Sequence, residues 1–350
     1  VPQKKKQAEA AAAARVEVPK VRTGYVALVG RPNAGKSTLL NKLLGEKVAI
    51  VSDKPQTTRV SILGIKTTGR GQILFLDNPG IHKPLHKLNK RMMSFVYASL
   101  ETADLICLLI DASLPFGHGD EFVIDALRKV DRPVFLLINK VDKVRKDKVL
   151  PLIDRYKDLL PFKEIIPISA VTGTNLDVLE DIIYRNLPER EKAYADDDLT
   201  NLPERFHLAE LIREKVLKHV RMELPFVTAV YIDAVERRKE KPERAEAEAE
   251  AAAESEGKKR EHAAERSSGR GLPKKRRPVT YVKASIFVER ENHRKIILGR
   301  QGSVIKIIGI EARREIENYL DSKVYLDLQV KVRPDWRDAA DVLDLIEGQR

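Results

Sequence analysis

Gly30-Arg31-Pro32-Asn33-Ala34-Gly35-Lys36-Ser37 fits the pattern G-x-x-x-x-G-K-[S/T] and decides how the rest of the chain is read. An apolar run, Tyr25–Val29, precedes it, and helical periodicity follows over Lys36–Leu44. In this strand–loop–helix setting, loop amides and a helix N-terminus face an anion. Lys36 then reaches the β- and γ-phosphates of a nucleotide, and the Ser37 hydroxyl is placed to ligate Mg²⁺.

Further elements follow in the order that a phosphate-hydrolysing switch requires. Asp77-Asn78-Pro79-Gly80 closes an apolar run as D-x-x-G. Asp77 is placed to hold Mg²⁺ through water, and the Gly80 amide to sense a γ-phosphate. Thr57 and Thr58 lie in a polar loop, and one of their hydroxyls would complete the Mg²⁺ shell. Asn139-Lys140-Val141-Asp142 follows the apolar run Val134–Ile138. A carboxylate at Asp142 accepts from guanine N1–H and N2–H₂. Adenine lacks that donor pair and leaves the acceptor unpaired, at about 1–3 kcal/mol or more. Asn139 supports the loop, and Ser169-Ala170 offers a backbone amide to guanine O6. These motifs imply GTP or GDP with Mg²⁺. Ile81 stands where many GTPases carry a catalytic glutamine and has no polar atom to orient water, so intrinsic hydrolysis is expected to be slow. Asn33 is a candidate K⁺ ligand or, equally, a residue that holds the loop's shape. His82 and His86 are expected to do no more than occupy a polar loop.

Working outward, apolar runs at Tyr25–Val29, Ile73–Leu76, Leu105–Ile110, Val134–Ile138 and Ile165–Ile168 alternate with helical stretches at Lys36–Leu44, Leu88–Leu100, Glu121–Val130, Val149–Leu160 and Leu176–Leu187. The runs are apolar at both alternating positions, as in strands buried on both faces. The expected fold is α/β, a mostly parallel doubly wound sheet over residues 21–190, with the site at the sheet's carboxyl edge. The 350 residues leave room for a second domain. Leu105–Ile110 is the longest wholly apolar run, far short of the roughly 20 residues of a spanning helix. The single cysteine, Cys107, lies inside it, which excludes an intramolecular disulfide and any cysteine-based cluster within one chain. A net charge of +12 points to a polyanionic partner, either nucleic acid or an anionic membrane surface.

Residues 1–20 read as a flexible arm with no secretory signal, and 191–205 as a linker. Residues 206–338 hold a smaller α+β unit: a helix at Phe206–Val220, strands at Val227–Val235 and Val279–Val288, a helix at Ser303–Leu320 and a strand at Lys323–Val332. Residues 236–277 are rich in Ala, Glu, Lys and Arg and read as a disordered insertion, with 339–350 as a tail. Gly299-Arg300-Gln301-Gly302 joins two helical stretches. G-x-x-G between helices is how K-homology (KH) domains clamp a nucleic-acid backbone, beside an apolar groove for bases. Arg300 would neutralise phosphate, and Ile296, Ile297, Val304 and Ile305 would floor the groove. The helix–strand–strand–helix–helix–strand order is that of the bacterial, type II, KH domain.

Together with Pro55-Gln56-Thr57-Thr58-Arg59, His207–Lys215, Leu224-Pro225-Phe226 and Asp335-Trp336-Arg337, these motifs resemble the Era family of bacterial ribosome-assembly GTPases, over about 22–235 and 279–338. The resemblance implies a TrmE-Era-EngA-like GTPase domain followed by a type II KH domain. It implies a GTP-gated protein that binds the 3′ end of 16S rRNA and assists maturation of the small (30S) ribosomal subunit. It also implies Thr58 as the Mg²⁺-ligating switch residue and K⁺ activation through Asn33. Asn78 stands where the family usually has Thr, and the insertion is not part of the usual pattern. A cytoplasmic, monomeric protein is expected, with peripheral contact to the cell membrane through Lys4–Lys6 and Lys274–Arg277. Two other readings remain open: an RNA chaperone with GTP as a slow structural ligand, and a membrane-associated signalling GTPase.

Overall fold

The computed structural model describes residues 21–220, 224–238 and 279–348. The arm at 1–20, most of the insertion and both basic clusters lie outside the described residues.

β1 (Val21–Gly30) sits centrally in the first sheet, and its side chains explain why. Val26 and Leu28 face one core, Ala27 and Val29 the other, and none is more than 1% exposed. A strand apolar on both faces is stable only with helices on both sides. α1 (Lys36–Leu44) and α5 (Leu176–Asn186) cover the first face; α2 (Lys87–Thr102), α3 (His118–Leu127) and α4 (Val149–Tyr156) cover the second. The strand order is β2 (Ile62–Thr68), β3 (Gly71–Asp77), β1, β4 (Leu105–Asp111), β5 (Val134–Asn139), β6 (Glu164–Pro167). β3, β1, β4, β5 and β6 are parallel to one another. β2 is antiparallel to β3, and the short β7 (Glu189–Arg190) pairs antiparallel with β1. Neither antiparallel strand stands out in the sequence: β2 ends in polar residues and contains Gly64, and β7 is two charged residues held by the ladder and by ion pairs of Glu189 with Arg22 and Arg190 with Asp104.

Residues 191–203 run along the sheet. Gln72 Oε1 accepts from the Ala193 and Tyr194 amides, the Ile65 amide donates to Leu199 O at 2.8 Å, and Thr200 Oγ1 donates to Leu63 O at 2.7 Å. The charged connector is thus anchored to β2 and β3.

The second unit runs α6 (Glu204–His219), β8 (Thr228–Arg238), β9 (Val279–Val288), α7 (Glu291–Leu298), α8 (Ser303–Leu320), β10 (Lys323–Val332), in the expected element order. Its sheet order is β10-β9-β8, parallel then antiparallel. Two boundaries change. Glu236–Arg238 continue β8, paired with Val279–Tyr281, because backbone ladder bonds need no apolar side chain; the insertion therefore begins later than its composition suggests. The tail contains α9 (Ala340–Glu347), whose Val342 and Leu343 are 3% and 1% exposed. They join a core cluster with Trp336 and the α2 residues Met92 and Val96, which fastens the second unit to the first.

Candidate active site and nucleic-acid interface

The phosphate loop turns between β1 and α1 through three left-handed residues, Asn33 (φ 63°), Gly35 (φ 99°) and, at its start, Gly30 (φ 151°). A Cβ on Gly35 would meet Asn139 Nδ2 at 2.3 Å, and one on Gly80 would meet the Pro32 backbone at 2.6 Å. Glycine at these positions lets the base-reading loop and the D-x-x-G loop close onto the phosphate loop. A cleft of about 290 Å³ results, lined among others by Lys36, Ser37, Thr58, Gly80, Asn139 and Asp142.

Lys36 is buried; its Nζ donates to Arg31 O at 3.1 Å and Gly30 O at 3.5 Å. Burial lowers its pKa to about 8, against the pull of Asp77. Burial likewise raises Asp77 to about 6, opposed by Lys36 and by the Ser37 and Thr58 hydroxyls. Both shifts express charge removed from water. Ser37 Oγ donates to Asp77 Oδ2 at 2.6 Å and lies 2.9 Å from Thr58 Oγ1. Asp77 Oδ1, fully buried, has no hydrogen-bond partner among the described residues. Two hydroxyls and a carboxylate, one of whose oxygens is orphaned, suit a small hard cation, so these residues fit Mg²⁺. Thr57 is not part of the set, because its hydroxyl donates to Lys54 O at 2.7 Å. The tertiary structure thus selects Thr58.

The base end is equally interlocked. Asn139 Nδ2 donates to Ala34 O at 2.8 Å and its Oδ1 accepts from the Ala170 amide at 3.0 Å. Ser169 Oγ donates to Asp142 Oδ1 at 2.5 Å, orienting the carboxylate. Lys140 Nζ bridges Asn33 O and Asp111 Oδ2 at 2.7 and 2.6 Å. Asn33 Nδ2 donates to Asp53 O at 2.7 Å, tying the phosphate loop to the loop that carries Thr58. Thr38, Ile50, Val51, Lys143 and Val171 also line the cleft; as isolated residues outside any motif they carry no sequence signal.

Several expected contacts are corrected. The Arg31 side chain turns away from the cleft to pair with buried Asp120 at 2.9 Å, leaving only its backbone to the phosphate loop. Asn78 lies beneath the cleft and donates to Leu28 O and Leu76 O, while Pro79 is buried and Val141 packs against the core. Ala34 is likewise buried at 1% exposure. His82 and His86 do more than occupy a loop: His82 contacts Gly80 O, Gln56 and Asn89, and His86 pairs with Asp338 of the second unit at 3.0 Å.

The loop that bears Thr58 also meets the second unit. Buried Arg59 donates to Thr228 O at 2.8 Å and Pro225 O at 3.1 Å, with its guanidinium 5.6 Å from the centre of the buried Trp336 ring. Burial, with Arg213 adding to it, lowers the Arg59 pKa to about 9. Arg213 donates to Thr57 O, and Glu214 accepts from the Val51 amide at 3.1 Å. No motif flags these contacts, because they join positions more than 150 residues apart.

At Gly299–Gly302 the chain turns sharply, with Gly299, Gln301 and Gly302 at φ 73°, 51° and 76°. Arg300 and Gln301 are exposed and Ile296 is 51% exposed. Val304 and Ile305 are half-buried against the core of the second unit, which includes Leu208, Ile212, Ile286 and Ile308. Ile297 is a correction: it is 0% exposed inside that core and cannot reach a ligand.

A family model described as a 50S ribosome-binding GTPase matches residues 25–140, and a KH domain model matches 261–337. The chain is similar to the crystal structure of Era in complex with MgGDPNP and nucleotides 1506–1542 of 16S ribosomal RNA, with a TM-score of 0.80 and 39% identity, covering 93% of this chain and 98% of that one. It is also similar to a tyrosine-to-alanine variant of Aquifex aeolicus Era bound to GDP·AlF₄⁻, with a TM-score of 0.79 and 38% identity, covering 93% and 99%.

Proposed function

We infer the function from a settled premise: the chain belongs to the Era family of GTPases. It binds and hydrolyses GTP with Mg²⁺, which when bound supplies charge neutralisation at the β- and γ-phosphates. Lys36 and the loop amides hold the phosphates, Ser37, Thr58 and Asp77 hold the metal, and Asp142 with Asn139 reads the guanine. We propose that the KH domain grips single-stranded 16S rRNA near its 3′ end and that the protein assists assembly of the small subunit. Arg300 meets phosphate and Ile296, Val304 and Ile305 floor the groove.

One observation carries the switch reading. Thr58, at the metal set, is followed directly by Arg59, whose guanidinium is buried against the second unit. A change at the γ-phosphate therefore shifts the residue that holds the KH domain. Crosslinking to RNA followed by sequencing, with the protein loaded first with a non-hydrolysable GTP analogue and then with GDP, tests this. A pile-up at the 3′ end of 16S rRNA that depends on the analogue is expected. Equal signal in both states favours a chaperone indifferent to nucleotide, and absent signal rejects the rRNA assignment.

The proposal extends to K⁺ at Asn33, to a cytoplasmic monomer, and to peripheral contact of the basic clusters with anionic lipid. Rates in K⁺ against Na⁺, sedimentation, and liposome binding with those clusters neutralised test these in turn.

A further inference from the structure

Ile81 is 2% exposed and packs in the core with Leu88 and Met92, so the position after Gly80 contributes nothing polar to hydrolysis. The neighbouring peptide is nevertheless held from both ends. Ile81 N donates to Gly30 O at 3.0 Å, and the carbonyl of the same peptide unit, Gly80 O, lies 2.7 Å from His82 Nδ1. On its other side, His82 Nε2 faces two side-chain amide nitrogens, Asn89 Nδ2 at 2.6 Å and Gln56 Nε2 at 3.2 Å. Amide nitrogens only donate, so Nε2 accepts, and the proton sits on Nδ1 and points at the Gly80 carbonyl. Gln56 reaches this position from a left-handed backbone (φ 60°), two residues before Thr58. A non-glycine residue keeps that conformation only where its surroundings enforce it. Gln56 lines the nucleotide cleft and also the cavity between the two units, together with His86, Asn89 and Arg337.

We propose that Gln56, His82 and Asn89 form a clasp that positions the Gly80–Ile81 peptide, and with it the Gly80 amide, for GTP hydrolysis. His82 is a positioning residue. It acts through the Gly80 backbone, and Gln56 closes the clasp only when the Thr58 loop is in place. The inference rests on the GTPase reading above.

Two isosteres separate positioning from packing. In His82→Asn the side-chain amide sits where Nδ1 was and still donates to Gly80 O. In His82→Gln it sits where Nε2 was and keeps only the Asn89 side. Single-turnover GTP hydrolysis by the full chain is expected to fall at least tenfold in His82→Ala and His82→Gln and by less in His82→Asn, which keeps the Gly80 bond but loses both Nε2 partners and should match the Gln56→Ala, Asn89→Ala double variant. GDP affinity is expected to stay within twofold in all three. Gln56→Ala is expected to lose about as much rate as Asn89→Ala, and the double variant no more than His82→Ala, as members of one unit behave. In the GDP-bound chain, exchange of the Ile81 amide should quicken in His82→Ala and be restored in His82→Asn. The clasp is overturned if His82→Asn is as slow as His82→Ala, if His82→Gln is restored equally, or if all variants keep the wild-type rate. A wild-type chain that binds GTP without hydrolysing it instead overturns the GTPase reading itself.

Discussion

The nucleotide cleft and the G-x-x-G turn are built by opposite means. The cleft draws on five separate segments, from Gly30 to Ala170, whose polar groups bond to one another apart from Asp77 Oδ1. Its reactive groups are buried, and Lys36 and Asp77 hold pKa values shifted by that burial. The turn at Gly299–Gly302 is four consecutive residues with exposed Arg300 and Gln301 beside half-exposed Ile296. A preorganised cleft discriminates one small ligand by what it would leave unpaired. An open turn with an apolar floor takes a flexible strand by backbone charge and by the fit of its bases. Damage to the first should therefore be steep and specific, and damage to the second graded and salt-dependent.

Asp142→Asn is the sharpest way to test that contrast. On the proposed role of Asp142, its carboxylate would accept two hydrogen bonds from guanine, each worth about 1.5–3 kcal/mol, so GTP affinity should fall by at least about 100-fold, while xanthosine nucleotides gain. Titration with both nucleotides checks it, and equal loss for both would show the base loop to be merely collapsed. Next in size is Arg59→Ala, which strips a buried cation from two carbonyls and from the Trp336 face. We expect about 2–3 kcal/mol less stability by urea unfolding, together with an altered emission from Trp336, the only tryptophan. If the loss is confined to one unit, the two regions are less coupled than their contacts suggest. On the other side of the comparison, Arg300→Asp with Gln301→Asp places two anions against RNA phosphate. RNA affinity should fall about 10-fold or more and depend less steeply on salt, because a phosphate contact is lost, with basal hydrolysis unchanged, by filter binding and phosphate release.

The smallest effect is a pH response that belongs to the cleft alone. Burial raises Asp77 from 3.8 to about 6, so between those values the folded, nucleotide-free chain binds a proton that the unfolded chain does not. Its stability from this group therefore falls as pH rises through that window. Mg²⁺ competes with the same proton, so Mg²⁺-dependent tightening of GDP should weaken about 5-fold between pH 6 and pH 5. Calorimetry at both values, with Asp77→Asn as the control lacking the response, checks it; RNA binding by the G-x-x-G turn should show no matching step from Asp77.

Legibility in the sequence follows the same divide. Val26–Val29 announce a doubly covered strand because burial on both faces leaves a continuous apolar run, and α1, α8, β9 and β10 appear where periodicity puts them. β2, β7 and α9 escape, since an edge strand can end polar, a two-residue strand has no period, and a terminal helix needs only one buried stripe. At the site, the motifs name Lys36, Ser37, Asp77, Asn139 and Asp142, because phosphate, metal and guanine each demand a particular functional group at a fixed place in a loop. They do not separate Thr57 from Thr58, assign Ile297 to the core, or turn Arg31 away, because residue type leaves side-chain direction open.

By itself, then, the sequence determined the chemistry of the loops and the order of the elements, since local backbone preference and hydrophobic period are written residue by residue. Only the tertiary structure decided that Arg59 is buried against Trp336, that His82 faces Gly80, and that Asp77 keeps one oxygen unpaired. Those facts depend on which distant side chains share a volume from which water is excluded, and no stretch of chain carries that information alone.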